Sequence, residues 1–409
     1  MVGIYMSCTF CPLPWVHLST HPIGEVTLCC LADSTNSIGS ARSKDKTLSL
    51  NSNSIDSILN SDSFKKVRLE MLSGNRPSAC MGCYKNEDQG TSSRRQEEII
   101  EDYFSFKEAR KITKEDGSIP ISLKKVELRL GNKCNLKCTT CNPASSSSWT
   151  QEYKEISKNT DIQIGVNYTG LRDEMFNWPE TQEFWSDLSK YSKDISFINI
   201  NGGEPMLYSK QISFLKYLID HNLSKNITLE YNINLSLISK DITDLWKEFK
   251  KVIVKCSIDD VEARNNFIRY PLSWKKVLDN FEKILRLDVE IIILQTLSVY
   301  NFLTFEEVYK KIVLIRKDIC YSINVVTEPF FLSPLSIPPE VRKRKIKEVF
   351  PLIPFKKHHQ LSKLFYNEEH DQKNLRMFQR YNSILLKNRK NNFEKDFKEL
   401  NEVLVNYLK

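Results

Sequence analysis

The chain has 409 residues, 41% hydrophobic and 11% aromatic, a composition that buries a core and excludes a disordered protein. Its formal charge of +8 is modest for this length and demands no nucleic-acid or other anionic partner. The longest apolar runs, such as 289–294, fall far short of the ~20 residues that span a bilayer, so no membrane partner is expected.

The opening residues, MVGIYMSCTFCPLPW, lack a basic segment followed by an apolar core, so a cytoplasmic protein without a secretory leader is expected. Residues 1–30 are apolar and turn-rich, and 33–54, rich in Ser, Asn and Lys, read as a surface loop. A helix is predicted over 55–72, stopped by Gly74 and Pro77. The charged, partly helical stretch 84–120 reads as a connection between domains.

From residue 123 strands and helices alternate. Strands are predicted at 124–130, 195–201, 227–233, 251–258, 289–297 and 321–327, with amphipathic helices at 211–221, 240–250, 274–286 and 306–319. Six strands separated by helices imply parallel βαβ units whose C-terminal ends share one face. If the sheet curls into a full or partial barrel, chemistry belongs on that face. From 338 the chain is helical and basic, and the charge run reads as a solvated helix face. In the 144–194 insertion Trp149, Trp178 and Trp185 suit core packing better than substrate stacking.

Eleven cysteines, at 8, 11, 29, 30, 80, 83, 134, 138, 141, 256 and 320, carry the chemistry. An odd number without an export signal argues against a disulfide framework, and nine lie before residue 142 in short spacings that suit metal ligation. Cys256 and Cys320, in or beside strands, are expected as buried small hydrophobes. Behind the first strand of the alternating region, Cys134, Cys138 and Cys141 stand as Cys-x3-Cys-x2-Cys. Three thiolates can hold a four-iron cluster with one iron left open, or a zinc knuckle completed by a fourth ligand. The second strand runs at once into Asn201-Gly202-Gly203-Glu204-Pro205. Paired glycines there allow close backbone approach to a ligand, and the Glu204 carboxylate can help receive an amino group.

This pair of motifs resembles the radical S-adenosylmethionine (SAM) superfamily over residues 122–330. The resemblance implies a (β/α)6 partial TIM barrel with a 4Fe–4S cluster on Cys134, Cys138 and Cys141, whose open iron is chelated by SAM. It further implies that Gly202, Gly203 and Glu204 meet the methionyl amino group, that Ser257 and Asp259 in KCSIDD lie near SAM, and that Arg269 pairs with the SAM carboxylate. For Arg269 a surface salt bridge is the competing reading. The position next to Cys141 that is commonly aromatic is Thr140 here, which alters the adenine pocket. In this superfamily an electron from the reduced cluster cleaves SAM to methionine and a 5′-deoxyadenosyl radical, which abstracts a substrate hydrogen. The cofactor does the hard chemistry, which explains the lack of a catalytic triad or His metal set; His17 and His21 read as structural.

Four further cysteines, Cys11, Cys29, Cys80 and Cys83, could hold a second cluster or a structural zinc. Their arrangement over residues 8–90 resembles the twitch domain, a shortened relative of the SPASM domain. That resemblance implies an auxiliary 4Fe–4S cluster on these four, with Cys8 and Cys30 as nearby spares. The usual twitch follows the barrel and this one precedes it. Four thiolates leave no open iron, so an electron-relay role is expected.

The expected architecture is thus a twitch-like auxiliary-cluster domain (1–90), a connecting segment (91–121), a radical SAM partial barrel (122–337) and a C-terminal helical region (338–409). The expected function is an oxidoreductase or modifying enzyme acting at an unactivated C–H bond, with a dehydrogenation-type outcome. Its partners would be SAM, a small-molecule or peptide substrate, and an electron donor such as flavodoxin or ferredoxin. Maturation of a ribosomally made peptide is the main enzymatic alternative, and a non-catalytic, zinc-stabilised binding module the alternative of another class.

Overall fold

The computed structural model describes residues 9–32, 38–159, 162, 172–316, 318–353, 361, 364, 366–368, 370–389 and 391–408. Cys8 lies outside the described residues, as do parts of the 33–54 loop and of the 144–194 insertion. The chain divides into two compact units, the first made of Met1–Asn132, Leu171–Glu230 and Lys240–Val252, the second of Lys133–Gly170, Tyr231–Ser239 and Ile253–Lys409.

The sheet of the first unit contains β1 (His17–Thr20), β2 (Val26–Thr27), β5 (Lys125–Leu130) and β6 (Phe197–Gly202); β3 (Arg42–Ser43) and β4 (Lys46–Thr47) form a separate hairpin. The strand order is β6-β5-β1-β2. β5 and β6 are parallel, with Lys125 opposite Phe197 and Leu130 opposite Gly202. Period-two alternation sets the faces: Val126, Leu128 and Leu130 are fully buried, while Lys125, Glu127 and Arg129 alternate with them. β1 lies parallel to β5, His17 opposite Lys125 and Ser19 opposite Glu127, so the turn-rich reading of 1–30 misses a strand. All four residues of β1 are buried, which erases the alternation that marks a half-buried strand.

The helix predicted over 55–72 is two helices, Ile55–Leu59 and Asp62–Leu72. Ser61 adopts an extended conformation as the N-cap of the second, a position serine favours. Asn60, at the break, bonds both Ile119 N (3.0 Å) and Ile119 O (3.1 Å). Arg68, fully buried, donates to Pro14 O (2.8 Å), Gly117 O (3.2 Å) and Leu59 O (2.5 Å), tying three segments together. The 84–120 stretch holds helices Arg94–Ile100 and Phe106–Ile112, each opened by a capping box. Trp178 and Trp185 pack in the core of this unit.

Strands β7 (Thr228–Ile233) and β8 (Lys251–Ser257) run from the first unit's segments into the second's. In the second unit β8, β9 (Glu290–Leu297) and β10 (Cys320–Val325) are parallel, Ser257 opposite Leu294 and Val325 opposite Leu297. Helix Trp274–Leu285 buries Val277, Phe281 and Ile284 along one stripe. The predicted helix 306–319 ends at Lys311 and continues as a 3-10 turn, Val313–Ile315. Trp149 and the C-terminal helices Pro339–Val349, Gln372–Asn388 and Lys398–Tyr407 share one apolar core with Phe267, Tyr300 and Phe305.

Two expectations fail here. The basic helix is not wholly solvated: Arg342 is fully buried, donating to Ile337 O, Leu364 O and Asn367 O, and Lys345 is buried against Glu306 (2.8 Å). Backbone carbonyls and a carboxylate answer these charges, which makes their burial tolerable. Cys256 is buried, but Cys320 is exposed, because β10 is the edge strand of this sheet. The result is an α/β fold with a helical C-terminal region. Among the described residues no helix is long and apolar enough to cross a membrane.

Candidate functional site

In the second unit the three-cysteine loop follows β5 in the chain and is held by its own carbonyls. Ser148 Oγ donates to Cys134 O (2.7 Å), Ser146 Oγ to Leu136 O (2.6 Å), Trp149 Nε1 to Cys138 O (3.0 Å) and Tyr381 Oη to Thr139 O (2.9 Å). The loop's N–H groups are likewise engaged, Lys137 N by Tyr270 O (2.6 Å) and Thr139 N by Ile268 O (2.8 Å). A loop so bonded presents its side chains from a fixed backbone. Burial raises the Cys138 thiol to about 11 and pushes Cys141 further up, with neighbouring thiols adding to each. Thiols in such a setting stay protonated until a metal binds and displaces the proton to solvent.

Arg269 and Asp259 meet beside this loop. Arg269 Nη1 donates to Asp259 Oδ2 at 2.7 Å, and both residues are buried. Asp259 Oδ1 accepts from Thr296 N (2.9 Å), which fixes the carboxylate. Burial disfavours the Arg269 charge, but Cys138, Asp259 and Cys134 outweigh it and raise the guanidinium above its ordinary value. The surface salt-bridge reading of Arg269 therefore fails, because the pair is buried. Ser257 ends β8, opposite Leu294.

Gly202, Gly203 and Glu204 belong to the first unit. Gly202 has φ +135°, and a Cβ there would lie 2.4 Å from Leu130 O, so only glycine fits this approach of β6 to β5. Glu204 is fully buried and its Oε1 accepts from Met206 N at 3.1 Å, capping the turn Pro205–Leu207.

The same unit gathers Cys11, Cys29, Cys80 and Cys83. Cys11 precedes helix Leu13–Val16, Cys29 follows β2, Cys80 ends the 3-10 turn Ser78–Cys80, and Cys83 lies in helix Met81–Asp88. Burial raises Cys11 strongly, Cys29 to about 11 and Cys80 to about 12; Cys29 and Cys80 add to Cys11, and Cys83 adds to both Cys29 and Cys80. Tyr84 Oη to Thr9 O (2.7 Å) and Arg95 Nη1 to Phe10 O (2.8 Å) pin the segment that carries Cys11. Cys30 is exposed and takes Arg94 Nη1 at 2.6 Å. Arg94 also pairs with Glu127, which faces His17 Nε2 at 3.7 Å. His17 is buried, with a structural place between β2 and β5.

The donors fit iron–sulfur chemistry: three thiols in one unit and four in the other, with no alternative set of hard oxygen ligands among them. Among the described residues no three Cys, His, Asp or Glu side chains gather closely enough for a single ion. Thiols that bind separate irons of one cluster stand further apart than the ligands of one ion. Among the described residues Arg269 Nε is buried without a hydrogen-bond partner, a donor that suits an anionic ligand such as a carboxylate. Sequence reasoning missed Asn234, whose Nδ2 reaches Cys134 Sγ at 3.8 Å. It also missed Trp149, Tyr270 and Tyr381 as partners of the loop backbone; none of these contacts has a signature in spacing.

Residues 128–312 match the radical SAM superfamily, and residues 11–84 match the SPASM iron–sulfur cluster-binding domain. No curated protein matches the chain. Among solved structures, anSMEcpe with bound AdoMet is similar at 19% identity and TM-score 0.38, over 56% of this chain and 59% of that one. SuiB of Streptococcus suis bound to S-adenosylmethionine is similar at 13% identity and TM-score 0.37, over 70% and 63%. TYW1 with a lysine–pyruvate adduct is similar at 15% identity and TM-score 0.31, over 56% and 74%. The chain thus spans less than two thirds of the length of the first two. The cofactors that go with the two matched families are a 4Fe–4S cluster with SAM, and an auxiliary iron–sulfur cluster. The chain thus carries a segment that matches the radical SAM superfamily, residues 128–312, preceded by one that matches the SPASM iron–sulfur cluster-binding domain, residues 11–84.

Proposed function

We propose that the chain is an oxidoreductase-type radical SAM enzyme that removes a hydrogen from an unactivated C–H bond of a small molecule or peptide, in the cytoplasm. Cys134, Cys138 and Cys141 would hold the SAM-binding cluster; Cys11, Cys29, Cys80 and Cys83 would hold the auxiliary cluster, which would supply an electron relay. Residues 122–337 form a partial TIM barrel, 1–90 a twitch-like domain, 91–121 the connection and 338–409 the helical end. The observation that carries this reading is the bonded three-cysteine loop with the Asp259–Arg269 pair beside two of its thiols.

When bound, the reduced cluster and SAM supply the radical that abstracts the hydrogen. The chain's own residues do the rest. Arg269, oriented by Asp259, holds the SAM carboxylate through its unpartnered Nε, and Ser257 and Asp259 border the cofactor. Gly202, Gly203 and Glu204, the last fixed by Met206 N, are the residues that would meet the methionyl amino group. The side chains of Ser146, Ser148 and Trp149 donate to the loop's carbonyls and so take the place of water there. A small electron-transfer protein such as flavodoxin or ferredoxin supplies the reducing electron.

The test is chemical. Anaerobically reconstituted, reduced protein is incubated with SAM, and 5′-deoxyadenosine and methionine are measured. Formation of both, lost when Cys134, Cys138 and Cys141 are replaced by Ala, supports the reading. A fully loaded, reduced protein that never cleaves SAM contradicts it.

A further inference from the structure

Asn234 lies in the turn after β7, within the second unit. Its Nδ2 is 3.2 Å from Asn135 Oδ1 and 3.8 Å from Cys134 Sγ. The two ends of an amide look alike in shape, but here the hydrogen bonds tell them apart. Ser236 N points at Asn234 Oδ1 at 2.8 Å, and a backbone N–H can be answered only by the oxygen. The NH2 group is therefore the end that faces Cys134. The turn itself is anchored: Leu235 sits at φ +60°, and its carbonyl accepts from Asn280 Nδ2 at 2.8 Å. Ser236 Oγ donates to the same Asn135 Oδ1 at 3.0 Å, so Asn135 is gripped twice and Cys134 is held next to it.

We propose that Asn234 is a positioning residue that donates an N–H···S hydrogen bond to the Cys134 thiolate and thereby raises the reduction potential of the cluster on Cys134, Cys138 and Cys141. The inference rests on the proposed role of those cysteines and adds to it the residue that tunes them. A donor on a ligand sulfur stabilises the reduced, more negative cluster more than the oxidised one, so the potential rises. The bond also biases Cys134 among its rotamers before any iron is bound.

The test is a potentiometric titration of the reconstituted full chain, followed by electron paramagnetic resonance, with the auxiliary cluster in the same molecule as the internal reference. Asn234→Asp keeps the size and the acceptor for Ser236 N but replaces the donor with a carboxylate oxygen. Asn234→Ala removes both functions, and Ser236→Ala loosens Asn135 without touching Cys134. The expected result is unchanged iron in all three, with a negative shift of the SAM-binding cluster in Asn234→Ala and a larger one in Asn234→Asp. Ser236→Ala and the auxiliary cluster stay at the wild-type potential. Unmoved potentials in both Asn234 variants overturn the inference. So does an equal shift in Ser236→Ala, and so does selective loss of iron from the three-cysteine loop, which would make Asn234 a clasp of the loop. If replacing Cys134, Cys138 and Cys141 leaves the wild-type iron count unchanged, it is the cluster assignment that fails instead.

Discussion

Arg269 Nη1 donates to Asp259 Oδ2 across 2.7 Å, with both side chains buried and the guanidinium within the field of the Cys138 and Cys134 thiols. A buried ion pair is weak evidence for stability, since desolvation offsets much of the attraction. The unpartnered Nε gives the pair a use: a cation held in place with one N–H still to satisfy.

Arg269→Gln is accordingly expected to weaken SAM binding by about tenfold to a hundredfold, the equivalent of ~1.5–3 kcal/mol for a charged hydrogen bond. The iron content should stay at the wild-type level. Anaerobic equilibrium dialysis with labelled SAM checks the affinity and an iron assay of the same protein checks the loading; wild-type affinity in the variant would remove Arg269 from the cofactor site.

Gly202→Ala should damage the fold rather than the chemistry alone. The new Cβ meets Leu130 O at 2.4 Å and Leu130 N at 2.5 Å at a φ of +135°, and both neighbours are backbone. Overpacking with backbone strain costs on the order of 2–4 kcal/mol. A denaturant melt should show a lowered midpoint with an unchanged slope; a midpoint equal to wild type would mean that the β5–β6 approach relaxes freely.

Cys30 and Cys80 should part company in the first unit. Cys80→Ala is expected to lose about four irons, the auxiliary cluster, whereas Cys30→Ser, which alters an exposed side chain in contact with Arg94, should retain them. Iron analysis of the two purified variants decides it, and an iron loss in Cys30→Ser would place Cys30 among the ligands.

Acid sensitivity should arise from β1 and its flank. Burial lowers His17 below its ordinary value and brings His21 to about 4, with Arg129 adding to the latter. The unfolded chain takes up these protons near pH 6.5 while the folded chain does not, so stability is full above that pH and falls between about 6.5 and 4. His21→Asn should flatten the dependence of the denaturation midpoint on pH across that window. A slope identical to wild type would show that His21 does not stay neutral in the folded state.

The strand–helix alternation and both cysteine groups were legible because each leaves a pattern along the chain: period two on β5 and β9, a helical stripe in Trp274–Leu285, and short Cys spacings. β1 was not legible, since HLST is buried throughout and shows no alternation. The break at Asn60 depends on Ile119, fifty-nine residues away in the chain. The burial of Arg342 depends on carbonyls at 337, 364 and 367, which no local composition reveals. Asn234 sits a hundred residues beyond Cys134, so its contact with the thiol is a product of the fold. The edge position of β10, which exposes Cys320, likewise follows from strand order.

The central claim is two iron–sulfur clusters on two separate thiol groups, and counting iron and sulfide per chain tests it most directly. Anaerobically reconstituted wild type should hold about eight irons, and the variant with Cys134, Cys138 and Cys141 replaced by Ala about four. An iron count that those three replacements leave unchanged would contradict the account.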